Sequence, residues 1–500
     1  MKKDESSEIL IFNHFYKLQH DLKRSYIFSS DAIDKNSDCL INSEWNSRIH
    51  PIYAMIFSFF SQPIKLSEAI KQLSEFFEIS YQAALDLINP FISNNESFHT
   101  EYADTHNNFP SNIIIDVTKA FSSAVQYYPH QFVYEELDFK SERLYVGPQG
   151  IVFMLNNTCA TDCVYCYADR SVKRKTIPLN TIKSIIKNAY NIGVASFPIT
   201  GGEFFLYKNW RELLAELILY KYKPALISTK VPLKEQDILN FKPYEIPIQI
   251  SLDSLTNDKL VKILNVKEDY LEKMKRTIIL LDQYKINFQI ATVLTKYNDG
   301  IENLENIFGF LKNLKSLVRW EIRVAFKSLH SKENFDDLKI AKEKIKIIGE
   351  WIYNLRSITK VNILWSPDSS DKYFKSEDGS RKFLGSKCSA NSTHMVLLPD
   401  GKVTICEQLY WDSRFIIGDL TKQSIEDTWH SQHALEIANP KKKDFSDKSA
   451  CKTCNIFTEC FSYPNKCFAD VLKAYGKENW DYPDPRCNKA PTFNNELYHI

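Results

Sequence analysis

Between about residues 146 and 365 short apolar runs alternate with longer amphipathic stretches, and this alternation constrains the fold more than any other feature of the sequence. Ile151 to Leu155, Ser196 to Thr200, Ala225 to Ser228, Ile246 to Leu252, Phe288 to Leu294 and Trp320 to Ala325 have the length and composition of buried strands. Leu179 to Tyr190, Trp210 to Tyr220, Tyr270 to Tyr284 and Ile301 to Leu311 repeat apolar residues at helical spacing. Regular βα alternation predicts a parallel sheet with helical cover, and six units suit an incomplete barrel open on one side. Val361 to Trp365 is placed to add a seventh strand.

The cysteines fall where such a frame carries chemistry. Of 11, Cys39 stands alone, Cys159, Cys163 and Cys166 share eight residues, and seven follow from Cys388 onward. The first cluster sits on the loop at the carboxyl end of the first strand run, the end at which βα barrels act. Its spacing presents three thiolates to one face of an iron–sulfur cubane; a cubane normally takes four cysteines, so one iron is left for another ligand. In a reducing compartment such clustering speaks for metal rather than disulfides, while the solitary Cys39 reads as a small buried apolar residue.

Three regions separate. Residues 1 to 145 end before the turn Gly147-Pro148-Gln149-Gly150. They hold β-rich pieces at Ser25 to Phe28 and Cys39 to Ile41. Three helix candidates follow: Tyr53 to Phe60, the repeat Leu66, Ile70, Leu73, Phe77, and the repeat Ala84, Leu87, Ile88, Phe91, the last disturbed by Asn89-Pro90. Strands followed by three short helices suggest a small winged-helix-like module. Residues 146 to 365 form the barrel region, and residues 366 to 500 have low regularity and high cysteine density, as where metal replaces a hydrophobic core. Lys441-Lys442-Lys443 divides the last region as a solvated linker.

Composition narrows the partners. A hydrophobic content of 44% supports a large core, and Lys+Arg 63 against Asp+Glu 62 leaves a net charge of +1, with no field that advertises nucleic acid or membrane. The candidate helix at 80 to 92 has no lysine or arginine to meet phosphates, which argues against a DNA-binding winged helix. The amino terminus turns acidic at Asp4 and Glu5 where a signal peptide would turn apolar, and no uncharged stretch is long enough to span a bilayer. The expected location is cytoplasmic.

Cys159-x3-Cys163-x2-Cys166, with the aromatic Tyr165 before the last cysteine, resembles the signature of the radical S-adenosylmethionine (SAM) superfamily. The resemblance implies that the open iron chelates SAM and that reductive cleavage of SAM yields a 5′-deoxyadenosyl radical, which removes hydrogen from an unreactive carbon. Thr200-Gly201-Gly202-Glu203 resembles the family's GGE motif, in which glycines allow close backbone approach and Glu203 would receive the SAM amine. Ser251-Leu252-Asp253 resembles the segment near the SAM ribose and carboxylate; the alternative is a turn role for Asp253. Arg323 is open to two roles, a contact to the SAM carboxylate or a structural ion pair.

Cys388-x12-Gly401-x4-Cys406, then Cys451-x2-Cys454-x5-Cys460, Cys467 and Cys487, resembles the SPASM domain of radical SAM enzymes, which holds two auxiliary four-iron clusters. By position, Cys451, Cys454, Cys460 and Cys487 would bind the outer cluster and Cys388, Cys406 and Cys467 the inner one. Six residues, Phe461 to Lys466, separate Cys460 from Cys467 where the family pattern has three, so an insertion with Pro464 loops out. No cysteine lies between Ser366 and Lys387, leaving the inner cluster's fourth ligand to an Asp, a His, water or substrate. Zinc is the alternative occupant of Cys-x2-Cys pairs. Glu407 follows Cys406 at the position of the acidic proton acceptor of sulfatase-maturating relatives; the alternative is an exposed surface glutamate.

The fold class expected from these features is α/β: a partial (β/α)6 TIM-like barrel with an N-terminal winged-helix-like module and a C-terminal cysteine-rich SPASM domain. The amino-terminal module resembles by layout the leader-recognition element of peptide-modifying radical SAM enzymes, which takes a leader as an added strand on a sheet edge; a generic helical extension capping the barrel is the alternative. The expectation is a radical SAM/SPASM maturase that installs an oxidative crosslink, thioether or carbon-centred, in a ribosomal precursor peptide and draws electrons from a flavodoxin- or ferredoxin-like reductant. Epimerisation fits less well, since Cys39 is the one unassigned thiol and lies outside the barrel region. The alternatives are a sulfatase-maturating type oxidase of a protein Ser or Cys and, from another class, a non-enzymatic iron–sulfur or zinc scaffold.

Overall fold

The computed structural model describes residues 8–29, 45–120, 125–169, 175–331, 334–367, 374–375, 382–383, 388–461, 466–493 and 497, with backbone alone at 374–375 and 382–383. Cys39, the run Cys39 to Ile41 and Pro464 lie outside these residues. The chain divides into two compact units, residues 1–150 with 189–196, and residues 151–188 with 197–500.

In the first unit, β1 (Ile9–Phe12) pairs antiparallel with Ile64–Lys65, while β2 (Tyr16–His20), β3 (Ser25–Ser29) and β4 (Asn46–Ile49) form an antiparallel sheet in that order. Three helices follow: α1 (Pro51–Ser58), α2 (Leu66–Phe77) and α3 (Tyr81–Ile88). Proline at the first turn of α1 forfeits only a donor that has no intrahelical partner, and the His50 side chain accepts from the Ile52 amide at 3.2 Å to cap it. Ser80 caps α3 by accepting from Ala83 N at 3.2 Å, and Pro90 turns its end into a 3-10 turn over Asn89–Phe91. A hairpin of β5 (Phe98–Tyr102) and β6 (Thr105–Phe109) comes next, and β7 (Ile114–Asp116) returns to pair with β1. Phe57, Phe91 and Phe109 meet edge to face at 4.9 to 6.0 Å in the core. The segment that closes this unit is tied down by a buried ion pair. Arg24 Nε donates to Asp21 Oδ2 at 3.0 Å and Arg24 Nη2 to the Arg143 carbonyl at 2.9 Å, while Asp21 Oδ1 accepts from Tyr145 N and Val146 N.

The second unit opens on β8 (Gly150–Met154), α4 (Leu179–Asn191), β9 (Ile199–Thr200), α5 (Trp210–Leu219), β10 (Ile227–Thr229), α6 (Glu235–Phe241) and β11 (Ile248–Ser251). It continues with α7 (Asn257–Leu264), α8 (Tyr270–Gln283), β12 (Phe288–Leu294), α9 (Ile301–Leu311), β13 (Leu317–Val324), α10 (Lys342–Ile358) and β14 (Ile363–Ser366). Strands β10 to β14 form one parallel sheet in chain order, so the seventh strand anticipated at 361 to 365 is present. Trp320, fully buried on β13, donates from Nε1 to Thr292 Oγ1 at 2.9 Å and fills the interior of that sheet. Strands β8 and β9 also pair in parallel, but their sheet continues from β8 into β15 (His394–Leu397), β16 (Lys402–Thr404) and β17 (Ile416–Asp419) of the cysteine-rich region. Met154, Val396, Leu398 and Tyr410 form one buried cluster across that junction.

Two strands are shorter than their apolar runs. β9 covers only the end of Ser196 to Thr200 because Pro198 has no amide to donate, although its carbonyl accepts from Phe153 N at 2.8 Å. β10 starts at Ile227, three residues after Pro224. Among the described residues no helix is long and apolar enough to cross a membrane.

The loops that leave β8 and β9 pack backbone to backbone, and glycine makes this possible. Leu155 N donates to Thr200 O at 3.1 Å, Gly202 N to Asn156 O at 2.6 Å and Glu203 N to Thr158 O at 2.8 Å. Gly201 has φ +101°, and a Cβ at Gly202 would lie 2.1 Å from the Thr158 carbonyl oxygen and 2.5 Å from Asn156 Oδ1. The glycines therefore serve the approach of the cysteine loop, a role that the motif alone did not disclose. Gly202→Ala is expected to destabilise the second unit by about 1–3 kcal/mol through overpacking, whereas Gly300→Ala, with open space around the added methyl, changes stability little. Denaturant midpoints of the two variants check the contrast, and equal midpoints would refute it.

Candidate active site

The cysteine loop has little regular structure, and its polar backbone is satisfied from outside. Asp162 N donates to Leu264 O at 2.7 Å and Val164 N to Ile263 O at 2.9 Å, both carbonyls at the end of α7. From the segment after β13, Ser331 Oγ donates to Val164 O at 2.7 Å and Ser328 Oγ to Cys166 O at 3.0 Å. Cys159, Cys163 and Cys166 line a cavity of about 900 Å³, together with His330, Tyr410 and Trp411. Burial pushes the Cys163 thiol up, against the opposing pull of the Lys230 charge.

The other motif residues gather beside this loop. Tyr165 is half-buried, and its hydroxyl donates to Asp253 Oδ2 at 2.5 Å. Burial, with the Asp253 and Cys163 charges, holds its phenol well above the usual range. Asp253, fully buried just beyond β11, also accepts at Oδ1 from Val293 N at 2.8 Å, and its carbonyl accepts from the side-chain amides of Asn298 and Asn303. Ser251 ends β11, buried and in register with Ala291. Glu203 is buried; Oε2 accepts from Thr229 Oγ1 at 2.7 Å, and both oxygens accept from Lys230 N at 3.0 to 3.1 Å. Burial raises the Glu203 pKa, opposed chiefly by the Lys230 charge. Arg323 makes a two-pronged ion pair with Glu321 at 2.7 Å on its own strand.

Lys230 is a site residue that the motifs did not disclose. It follows β10, so the rule that barrel chemistry lies beyond strand ends would have singled it out. Its ammonium stands 5.8 Å from the Tyr165 ring centroid. Burial works against its charge, but the surrounding Cys163, Asp253, Glu203 and Cys166 outweigh that and raise its pKa.

The later cysteines fall into two groups. Cys388, Cys406 and Cys467 lie within one another's electrostatic reach, and burial pushes each thiol up. Cys451 feels Cys487 and Cys460, Cys487 feels Cys454, and burial pushes Cys451 up to about 11. Beneath the first group Asp484 Oδ2 accepts from Cys467 N at 3.0 Å while Arg486 bridges Asp484 and Asp470. Glu407 is half-buried, accepts from Cys406 Sγ at 3.8 Å and is not among the residues that line the cavity. Tyr410, by contrast, lines it with a buried hydroxyl that has no partner among the described residues, and Trp411 stacks on its ring at 5.8 Å.

The donor sets fit a group larger than a single ion. Cys163 feels Cys166, and the thiols of the two later sets lie within electrostatic reach of one another. Cysteine sets of this kind are the ligands that an iron–sulfur cubane takes. Cysteine thiols become thiolates when they bind metal.

Residues 154–311 match the family model of the Radical SAM superfamily, and residues 388–455 match that of the SPASM iron–sulfur cluster-binding domain. An uncharacterized protein of Methanocaldococcus jannaschii is 29% identical over 205 residues, 40% of this chain and 65% of its own length. The antilisterial bacteriocin subtilosin biosynthesis protein AlbA of Bacillus subtilis is 28% identical over 155 residues, 30% of this chain and 34% of its own. The chain thus spans less than two thirds of both relatives. GTP 3',8-cyclase of Helicobacter pylori is 26% identical over 308 residues, 58% of this chain and 90% of its own. Among solved structures, Streptococcus suis SuiB aligns at a TM-score of 0.63 and 15% identity over 96% of this chain and 100% of its own, a likeness of fold. SuiB has also been solved bound to S-adenosylmethionine and to its precursor peptide SuiA. The family-model matches place a radical SAM domain at residues 154–311 and a SPASM domain at residues 388–455 of the chain.

Proposed function

We propose that this enzyme is a peptide maturase that installs an oxidative crosslink, thioether or carbon-centred, in a ribosomally made precursor. The observation that carries this is the shared cavity: Cys159, Cys163 and Cys166 face the same space as Tyr410 and Trp411, which lie just beyond Cys406 of the auxiliary region. A volume of about 900 Å³ is of the size that accepts a cofactor or a small ligand. The biosynthetic role in AlbA's name and the precursor peptide bound by SuiB favour a peptide substrate.

When bound, SAM and its four-iron cluster supply a carbon-centred radical that takes hydrogen from an unactivated carbon. Cys159, Cys163 and Cys166 would hold that cluster, and Glu203 would receive the SAM amine with its remaining lone pairs. Tyr165, fixed by Asp253, would form one wall of the SAM site beside Gly201, Gly202 and Ser251. Cys451, Cys454, Cys460 and Cys487 would hold the outer auxiliary cluster, and Cys388, Cys406 and Cys467 the inner one. Glu407, Asp470 and Asp484 are the carboxylates that press on the inner thiols. Glu407 is our choice for the group that takes the substrate proton.

Residues 1–145 would be a winged-helix-like leader-recognition module, residues 146–365 the barrel and residues 366–500 the SPASM region. A leader would be taken as an added strand on an edge of one of the small antiparallel sheets in the first unit. Electrons would come from a flavodoxin- or ferredoxin-like protein in the cytoplasm.

The test is anaerobic incubation of the reconstituted enzyme with SAM, dithionite and any short leader-bearing peptide found to be encoded beside it. Loss of two hydrogen masses from the peptide, with formation of 5′-deoxyadenosine, is expected; 5′-deoxyadenosine without any change in peptides carrying a leader would overturn the choice of substrate. Glu407→Gln is expected to slow peptide modification by about 10²-fold or more while 5′-deoxyadenosine formation continues, and full modification by that variant would remove Glu407 from the reaction.

A further inference from the structure

Lys466 closes the long spacer between Cys460 and Cys467, and its surroundings are unusual for a lysine. Its Nζ is buried without a hydrogen-bond partner among the described residues. Three aromatic faces enclose it, with ring centroids of Phe468 at 4.9 Å, Phe445 at 5.3 Å and Trp480 at 5.9 Å. Such a cage favours the cation but leaves its N–H donors unused.

Burial works against its charge, and the charges of Cys451, Asp481, Asp484 and Cys460 favour it. The two carboxylates have donors of their own: Asp481 Oδ2 accepts from Ser446 N at 2.7 Å, and Asp484 accepts from both prongs of Arg486 at 2.7 Å and from Cys467 N at 3.0 Å. That leaves the thiols of Cys451 and Cys460, two of the cysteines that would hold the outer cluster. A buried ammonium with no acceptor is unstable unless a group bound there accepts from it.

We propose that Lys466 is the electrostatic tuning residue of the outer auxiliary cluster: a fixed cation, donating to cluster sulfur, that stabilises the reduced and more negative state. It acts in this way only if Cys451, Cys454, Cys460 and Cys487 hold a cluster, as proposed above, and independently of the substrate. One electron enters the cluster on reduction and nothing else is bound or released, so the cation's contribution appears directly in the midpoint potential. Lys489 is the natural comparison. Its Nζ reaches Cys454 Sγ at 3.4 Å, but it is exposed, and solvent screens its charge.

The experiment is a redox titration followed by electron paramagnetic resonance, in a chain whose Cys159, Cys163 and Cys166 are alanine. The outer-cluster signal is the one lost in Cys454→Ala/Cys487→Ala. In Lys466→Met the reduced-to-oxidised ratio of that cluster at fixed solution potential is expected to fall about tenfold, a midpoint lower by about 59 mV for one electron. Lys466→Arg should recover most of the shift, Lys489→Met should give less, and the inner cluster should move less than the outer. An outer midpoint unchanged in Lys466→Met overturns the role of Lys466 alone. Should Lys466→Met fail to hold the cluster, Lys466→Arg and Lys466→Gln decide: equal midpoints refute the proposal and a lower one for Gln supports it. If no signal depends on Cys454 and Cys487, the cluster assignment falls and the inference with it.

Discussion

One buried side-chain amide holds together the two loops on which the site depends. Asn156 Oδ1 accepts from Thr158 N at 3.0 Å and from Glu203 N at 3.3 Å, while its Nδ2 donates to Glu203 O at 3.0 Å. With the backbone bonds from Gly202 N to Asn156 O and from Glu203 N to Thr158 O, this makes one body of the cysteine loop and the Gly-Gly-Glu loop. Each buried polar group stranded by loss of that amide would cost about 1–3 kcal/mol, so the amide outweighs any single packing contact nearby. The glycines are the steric side of the same arrangement, since Gly201 and Gly202 leave room for Asn156 and Thr158 to come close.

Charge is organised as tightly as backbone. Glu203, Asp253 and the cysteine thiols surround Lys230, and each carboxylate is also hydrogen-bonded by fixed donors. Burying such groups singly is costly, and burying them as a saturated set is tolerable. The same solution recurs under Cys467, where the fork of Arg486 joins Asp484 and Asp470. Both networks keep charged residues stationary beside thiols, the condition for a metal site whose electronics do not drift.

Much of this was legible in the sequence, and the reasons differ by element. Phe288–Leu294 and Ile301–Leu311 emerge with the bounds their apolar patterns predict, because an unbroken buried run and an unbroken helical stripe each have one solution. Strands at Pro198 and Pro224 shrink, since a missing donor outweighs the apolar pattern. The edge strands Asn46–Ile49 and Phe98–Tyr102 carry polar residues and gave no periodic signal. Helix α10 went unread because its charged residues mask its buried face. The cysteines announced themselves by spacing. Asn156, Lys230 and Lys466 did not, because a residue that serves a site through geometry has no motif of its own.

The central claim is that the ten clustered cysteines form three separate sets, each the seat of one cubane. The most direct measurement is iron and acid-labile sulfide per chain after anaerobic reconstitution, with each set replaced by alanine in turn. Three cubanes in the native chain, and the loss of one third of the iron and sulfide with each set, is the predicted result. Stoichiometric zinc in place of iron, or a loss of metal that does not follow the three sets, would contradict it.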